Sequence, residues 1–265
     1  MLVVPKITSM TPNNAISRPP LQGDPIGVPV DVSCVFTWDK KRAEELAYSW
    51  KEWGCPVSIG GPAYDDPGGE FIPGKYLKNG ITITHRGCIR NCPWCYVPIR
   101  EGKIKCLDIK IGNILQDNNI LACPKEHQNK VFSMLKTQKG VSLRGGLDAR
   151  LLTDYSIEQI RSLKLFDLWT AYDSDDNKSS ILAIQKLRAA GIPQNKIRVY
   201  CLIGFDNDTI SMAEERCLKV LMSGGMPFAQ LYDMKIGTDR ELREWKALAR
   251  KWSRPAIYRS FLKKK

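Results

Sequence analysis

Three cysteines lie within eight residues in the run Thr84-His85-Arg86-Gly87-Cys88-Ile89-Arg90-Asn91-Cys92-Pro93-Trp94-Cys95-Tyr96, spaced C-x3-C-x2-C. The thiolate is the metal-binding form of cysteine. Three thiolates on one short loop can ligate three irons of a cubane cluster and leave the fourth iron open, and an open metal position is where substrate chemistry happens. Gly87 and Pro93 suit a chain that must wrap tightly, since glycine adopts turns barred to other residues and proline fixes its own φ. Zinc is the rival metal. It prefers four nitrogen or sulfur ligands, and His85, three residues before Cys88, would complete one histidine and three cysteines. Zinc ligands usually come as two separated pairs, whereas these crowd into one loop. The other six cysteines (Cys34, Cys55, Cys106, Cys123, Cys201, Cys217) are scattered, and the total of nine is odd. With no secretory signal at the start, MLVVPKITSM, they read as reduced and mostly buried, in a cytoplasmic protein.

The stretch Cys88-x3-Cys92-x-Trp94-Cys95, with an aromatic residue just before the third cysteine, resembles the motif of the radical S-adenosylmethionine (radical SAM) superfamily. The resemblance extends over about residues 80–233. It implies a 4Fe-4S cluster on Cys88, Cys92 and Cys95, whose open iron is chelated by the amino and carboxylate groups of SAM. It also implies reductive cleavage of SAM to a 5′-deoxyadenosyl radical that takes a substrate hydrogen, and a reductant such as flavodoxin or ferredoxin. Where many members have Gly-Gly-Glu against the SAM amino group, this chain departs with Gln116-Asp117-Asn118-Asn119, so Gln116 or Asp117 would supply the acceptor. The stretch Arg144-Gly145-Gly146-Leu147-Asp148-Ala149-Arg150 offers glycines for close backbone approach, with Asp148 and Arg150 within reach of the ribose or methionyl carboxylate. Leu202-Ile203-Gly204-Phe205 is similar to the family's glycine-containing stretch beside adenine, and Trp94 and Tyr96 would flank that ring. The remaining strand ends would face substrate: Tyr172 and Asp173, Cys201, then Gln230 and Tyr232. Asp173, Cys201 and Tyr232 are the catalytic candidates, with a tyrosine or cysteine there able to return a hydrogen atom to a substrate radical.

The elements that must position these residues alternate. Apolar runs that read as buried parallel strands are Ile81–Thr84, Ile109–Leu115, Val141–Leu143, Leu168–Tyr172, Ile197–Ile203 and Phe228–Leu231. Helical segments lie between them: Lys125 to Gln138, one beginning at Ser156 with Gln159 as its capping partner, Ser179 to Ala190, and Thr209 to Met222. Alternation of this kind predicts an α/β fold with a parallel sheet. A complete eight-stranded barrel needs about 250 residues, so the space available predicts a partial (β/α)6 barrel, with sites at the carboxyl ends of its strands.

Ahead of the barrel, Val30 to Phe36, a helix capped by Asp39 and stopped at Gly54, and Pro56 to Ile59 read as one β-α-β unit, after an irregular, proline-rich lead-in over residues 1–28. This unit looks like a shortened cobalamin-binding domain. Only two of about five strands are visible, and residues 1–79 hold no histidine for the lower-ligand motif. A vestigial cap is therefore expected, with cobalamin bound without a histidine ligand as the alternative. The predicted domains are 1–79, a barrel over 80–238, and a basic C-terminal helix and tail over 239–265.

Composition bounds the function. The 265 residues are 43% hydrophobic and 26% charged, which excludes a wholly disordered or collagen-like chain. No run nears the roughly 18 apolar residues of a membrane span. The net charge is +12, and the segment Arg240 to Lys265 carries +8 of it. That tail, with Trp245, Trp252, Tyr258 and Phe261, predicts contacts to phosphates and stacking on bases. The reading is an enzyme that modifies a nucleic-acid base or nucleotide. The alternatives are a cobalamin-dependent methyltransferase, a radical SAM enzyme acting on a small molecule or peptide, and a non-catalytic zinc-stabilised nucleic-acid-binding module.

Overall fold

In the stretch Val30–Ser33 the two valines are buried and Asp31 and Ser33 half-buried, the alternation of a strand with one covered face. The computed structural model describes residues 1–66, 69–173, 177–232 and 238–262, without the side chains of Asn177, Arg259, Phe261 and Leu262. Two compact units emerge: residues 1–88 with 96–112, and residues 89–95 with 113–265.

The first unit opens with β1 (Leu2–Val3), β2 (Val30–Ser33), α1 (Lys40–Glu52) and β3 (Val57–Gly60). The three strands pair in the order β1-β2-β3, all parallel. The lead-in is thus not wholly irregular: Leu2–Val3 form a third strand, held by a bridge from Val3 to Ile16. Two residues are too few to show the period-2 pattern by which a strand is read. Ala43, Leu46 and Trp50 of α1 pack with Val3, Val30, Val32 and Cys34, and the Trp50 indole donates to the Arg18 carbonyl at 3.1 Å. Asp39 precedes the helix but caps nothing with its side chain. Gly54 ends the chain's helical course at φ +92. The unit continues through β4 (Ile81–Thr82), β5 (His85–Arg86), the short helix α2 (Val97–Arg100) and β6 (Lys105–Cys106), which pairs antiparallel with β5.

The second unit contains β7 (Ile114–Leu115), α3 (Lys125–Lys136), β8 (Val141–Leu147), α4 (Asp154–Arg161), β9 (Leu165–Tyr172), α5 (Asn177–Ala189), β10 (Ile197–Ile203), α6 (Ile210–Met222), β11 (Met226–Leu231), α7 (Asp239–Ser253) and α8 (Pro255–Leu262). Its strands lie in the order β11-β10-β9-β8-β7, every pairing parallel, with helices against the sheet. The α/β class and the parallel sheet are as the alternation predicts. Strand β10 shows how the sheet is built. Ile197, Val199, Cys201 and Ile203 are buried, while Arg198, Tyr200 and Leu202 between them are half-buried. Cys201 meets Cys217 of α6, so the buried set faces α6 and the other set lies on the opposite side of the strand.

Several boundaries differ from the sequence reading: β8, β9 and β11 run longer than expected and β4 shorter, and two further differences have local causes. Of Ile109–Leu115 only Ile114–Leu115 forms a strand, and Ile111 is exposed despite its apolar side chain. Helix α4 starts earlier than Ser156, because Thr153 accepts from the Ser156 amide and Ser156 answers the Thr153 amide in a reciprocal box. Among the described residues no helix is long and apolar enough to cross a membrane.

Candidate functional site

The cysteine loop follows β5. Gly87 enters it at φ +77, and a Cβ there would lie 2.2 Å from the Lys103 carbonyl oxygen, so only glycine lets the two segments approach this closely. The Gly87 amide donates to Glu101, which also pairs with Arg86, and the Cys88 amide donates to the Gly102 carbonyl at 3.1 Å. Further along, the Cys95 amide donates to the Cys92 carbonyl at 3.0 Å, which closes a four-residue turn with Pro93 at its second position. Such a turn brings Cys92 and Cys95 close together. All three cysteines of the motif are partly exposed, unlike the buried Cys34, Cys55, Cys123, Cys201 and Cys217. His85 is fully buried in β5.

In the second unit the loop is tied to the end of β8. The Arg90 Nε donates to Asp148 Oδ2 at 2.8 Å. Arg150 grips the same carboxylate twice, Nε to Oδ1 at 2.7 Å and Nη2 to Oδ2 at 3.2 Å, and its own amide donates to Oδ1 at 3.1 Å. Asn119, from the turn after β7, adds a donor to Oδ2 at 3.4 Å. The Asp148 side chain is only 6% exposed. Burial alone would raise its pKa, yet the Arg150 and Arg90 hydrogen bonds outweigh that and hold the carboxyl below its ordinary value. The local backbone makes this convergence feasible. Register shifts between Leu143 and Leu147, and a Cβ on Gly145 would fall 1.6 Å from the Asp117 carbonyl oxygen, so the glycine admits the Asp117 turn against β8. Close approach of the Asp117 backbone is thus what Gly145 provides.

At the end of β7, Asp117 is buried, and the buried Gln116 Oε1 has no hydrogen-bond partner. A buried acceptor left without a donor costs about 1–3 kcal/mol and calls for an explanation.

An aromatic row crosses the carboxyl ends of the last strands. Trp94 meets Phe205 edge-on at 5.4 Å, and Phe205 meets Tyr232 edge-on at 4.8 Å. The sequence singled out Trp94 and Tyr232 separately; Phe205 as the ring joining them was not legible, because ring contacts do not show in spacing. Gly204, at φ +73, donates its amide to Asp208, which is paired with Arg216 at 2.5 Å. Asp173 is half-buried just after β9, and Tyr232 is 37% exposed just after β11. On the side of the sheet turned from α6, Trp169, Tyr200 and Phe228 form a half-buried ring cluster, with Trp169 and Tyr200 centroids 4.5 Å apart. Burial pushes the Tyr200 phenol up.

Three expected roles meet a different geometry. Cys201 is wholly buried on the helix-covered face, and its thiol donates to the Val199 carbonyl, so it does not present its sulfur at the strand end. Burial, and then Cys217, push that thiol well above its ordinary range. Tyr96 lies in the first unit, 55% exposed, with the Arg100 guanidinium 4.6 Å over its ring, so one ring face is already taken. In the C-terminal helices Trp245, Trp252 and Tyr258 are buried, and Trp252 stacks on Tyr258 at 5.7 Å. They are core residues and cannot stack on bases; the Phe261 side chain lies outside the described residues. The charge is better exposed: Arg240, Arg243, Arg250 and Arg254 face solvent, Arg240 within 3.3 Å of Glu244, and Lys251 pairs with Glu214. Cys123 and His127 bring their donor atoms within 4.8 Å of each other.

No family model and no curated protein matches the chain.

Proposed function

We propose that this chain is a radical SAM enzyme with one 4Fe-4S cluster on Cys88, Cys92 and Cys95, built on a partial (β/α)6 barrel. The observation that carries the proposal is the cysteine loop itself: three half-exposed thiols spaced C-x3-C-x2-C, two of them at the ends of one turn, in a chain with a parallel α/β sheet. The donor set suits the group. All-sulfur ligation fits iron–sulfur chemistry, and three ligands leave one iron for substrate. The Gln116 oxygen supports the same reading, since an orphaned buried acceptor is what a substrate ammonium would satisfy.

When bound, the cluster supplies the electron that cleaves SAM to methionine and a 5′-deoxyadenosyl radical, which takes a hydrogen atom from the substrate. The chain's share is binding and shielding. Gln116 accepts from the SAM ammonium, and Gly204 leaves room beside the adenine. Trp94, Phe205 and Tyr232 form an apolar wall that limits water near a reactive carbon, with Tyr232 and Asp173 at the substrate side. The substrate class is a nucleic-acid base or nucleotide, held through its phosphates by the exposed arginines of α7 and the residue that follows it. A flavodoxin- or ferredoxin-like protein supplies the electron.

Anaerobic reconstitution tests the reading. Iron and sulfide at about four per chain, lost in Cys88→Ala, and 5′-deoxyadenosine formed from SAM by reduced protein are the expected results. Zinc at about one per chain without iron would establish the zinc-stabilised binding module instead.

A further inference from the structure

We propose that Asp148 is a positioning residue that holds the cysteine loop against the strand ends of the second unit before any metal arrives. The inference rests on reading Cys92 and Cys95 as cluster ligands, and it concerns the loop between them and Cys88. Arg90 sits in that loop, and its partner Asp148 is 58 residues away in sequence. Asp148 immediately follows the last residue of β8, so a group fixed to the sheet grips a group on the loop. The carboxylate is saturated. Two donors converge on Oδ1 and three on Oδ2, against about four lone-pair sites on a carboxylate. A carboxylate filled in this way has little capacity left for an incoming ligand, so its work is done within the chain. Arg150 and Asn119 lock it from the strand-end side, and Arg90 is the element thereby fixed. A single charge-assisted hydrogen bond in this geometry is worth more than a neutral one, and the pair is partly buried, where water competes less. A loop ordered in advance also spares the metal the entropy of ordering it.

Amide hydrogen exchange of the metal-free protein tests this directly, with Arg90→Gln, Asp148→Asn, the double variant and Asp148→Glu compared with the parent chain. Loss of the tie is expected to speed exchange of the amides in 89–95 by about tenfold or more, the equivalent of one charged hydrogen bond. Arg90→Gln leaves the grip of Arg150 on Asp148 in place, so it tests the loop even where Asp148→Asn fails to fold. The double variant is expected to exchange no faster than the quicker single one, because both remove the same contact. Asp148→Glu, which keeps the charge, should retain most of the protection. After reconstitution, Arg90→Gln and Asp148→Asn are each expected to lose iron to a ferrous chelator about tenfold faster than the parent. Unchanged exchange in 89–95 with Arg90→Gln overturns the proposal, and so does acceleration spread evenly over residues 113–262. A parent chain that takes up no iron sinks the cluster reading instead, while the metal-free exchange result still decides whether Asp148 holds the loop.

Discussion

At the scale of single residues, the site divides into groups committed to the protein and groups left without a donor. Asp148 is committed, and its depressed pKa gives that commitment a pH signature. A carboxyl held below its ordinary value of 3.8 contributes stability that is fully present above that value and is lost as pH falls through the lower folded value. The stability difference between the parent and Asp148→Asn, followed by urea titration, should therefore be constant above about pH 5 and shrink below pH 4. Gln116 instead keeps a buried side-chain oxygen without a donor. Gln116→Leu removes a buried acceptor without a donor, so the metal-free protein is expected to be as stable as the parent or more so, while SAM binding by the reconstituted protein weakens. A loss of stability with unchanged SAM affinity would mark Gln116 as structural. Cys201→Ala should cost about 1–2 kcal/mol of stability and leave 5′-deoxyadenosine formation intact, since its thiol is sealed against Cys217. The partial exposure of Cys88, Cys92 and Cys95 sets them apart from the five buried cysteines, a difference their spacing in the sequence does not show. Nor was the partnership of Arg90 with Asp148 legible, because nothing in sequence links residues 58 positions apart.

At the scale of elements, periodicity did most of the work, and its failures have local causes. Strand β10 was legible to the residue because four buried positions alternate with three half-buried ones. The start of α4 was misplaced because Ser-Ile-Glu-Gln also reads as a capping box, and the stronger box begins three residues earlier at Thr153. Thr153→Ala is accordingly expected to destabilise the protein by about 1 kcal/mol in chemical denaturation. Strand β8 extends past Leu143 through two glycines, residues that argue against a strand unless another backbone must come close. Here one does. Gly145→Ala should destabilise by about 3 kcal/mol or more, since its new methyl group meets the Asp117 backbone rather than a side chain that can swing away.

At the scale of the whole molecule, the +12 charge and the aromatic tail separate into two matters. Among the described residues, Arg240, Arg243, Arg250 and Arg254 are at the surface, and the rings of Trp245, Trp252 and Tyr258 are inside. Trp252→Ala should lower stability by about 3–5 kcal/mol, as loss of a buried aromatic does, rather than weaken nucleic-acid binding in a chain of unchanged stability. Neutralising Arg240, Arg243, Arg250 and Arg254 together should leave stability near that of the parent and flatten the salt dependence of binding to single-stranded DNA or RNA. Binding whose salt slope is the same in both proteins would remove the arginines from the interface. Composition alone could not tell these apart, because a tryptophan beside an arginine looks the same on paper whether it is packed or presented.

The two-sided construction of β10 has a further consequence, for how this protein tolerates change. Its seven positions form a binary record. In a library of all single substitutions, Ile197, Val199, Cys201 and Ile203 should be judged by abundance, failing when the folded chain disappears. Arg198, Tyr200 and Leu202 should be judged by output, failing while the chain persists. A strand whose odd and even members answer to different selections would show, from growth data alone, that its half-buried side does more than hold the fold.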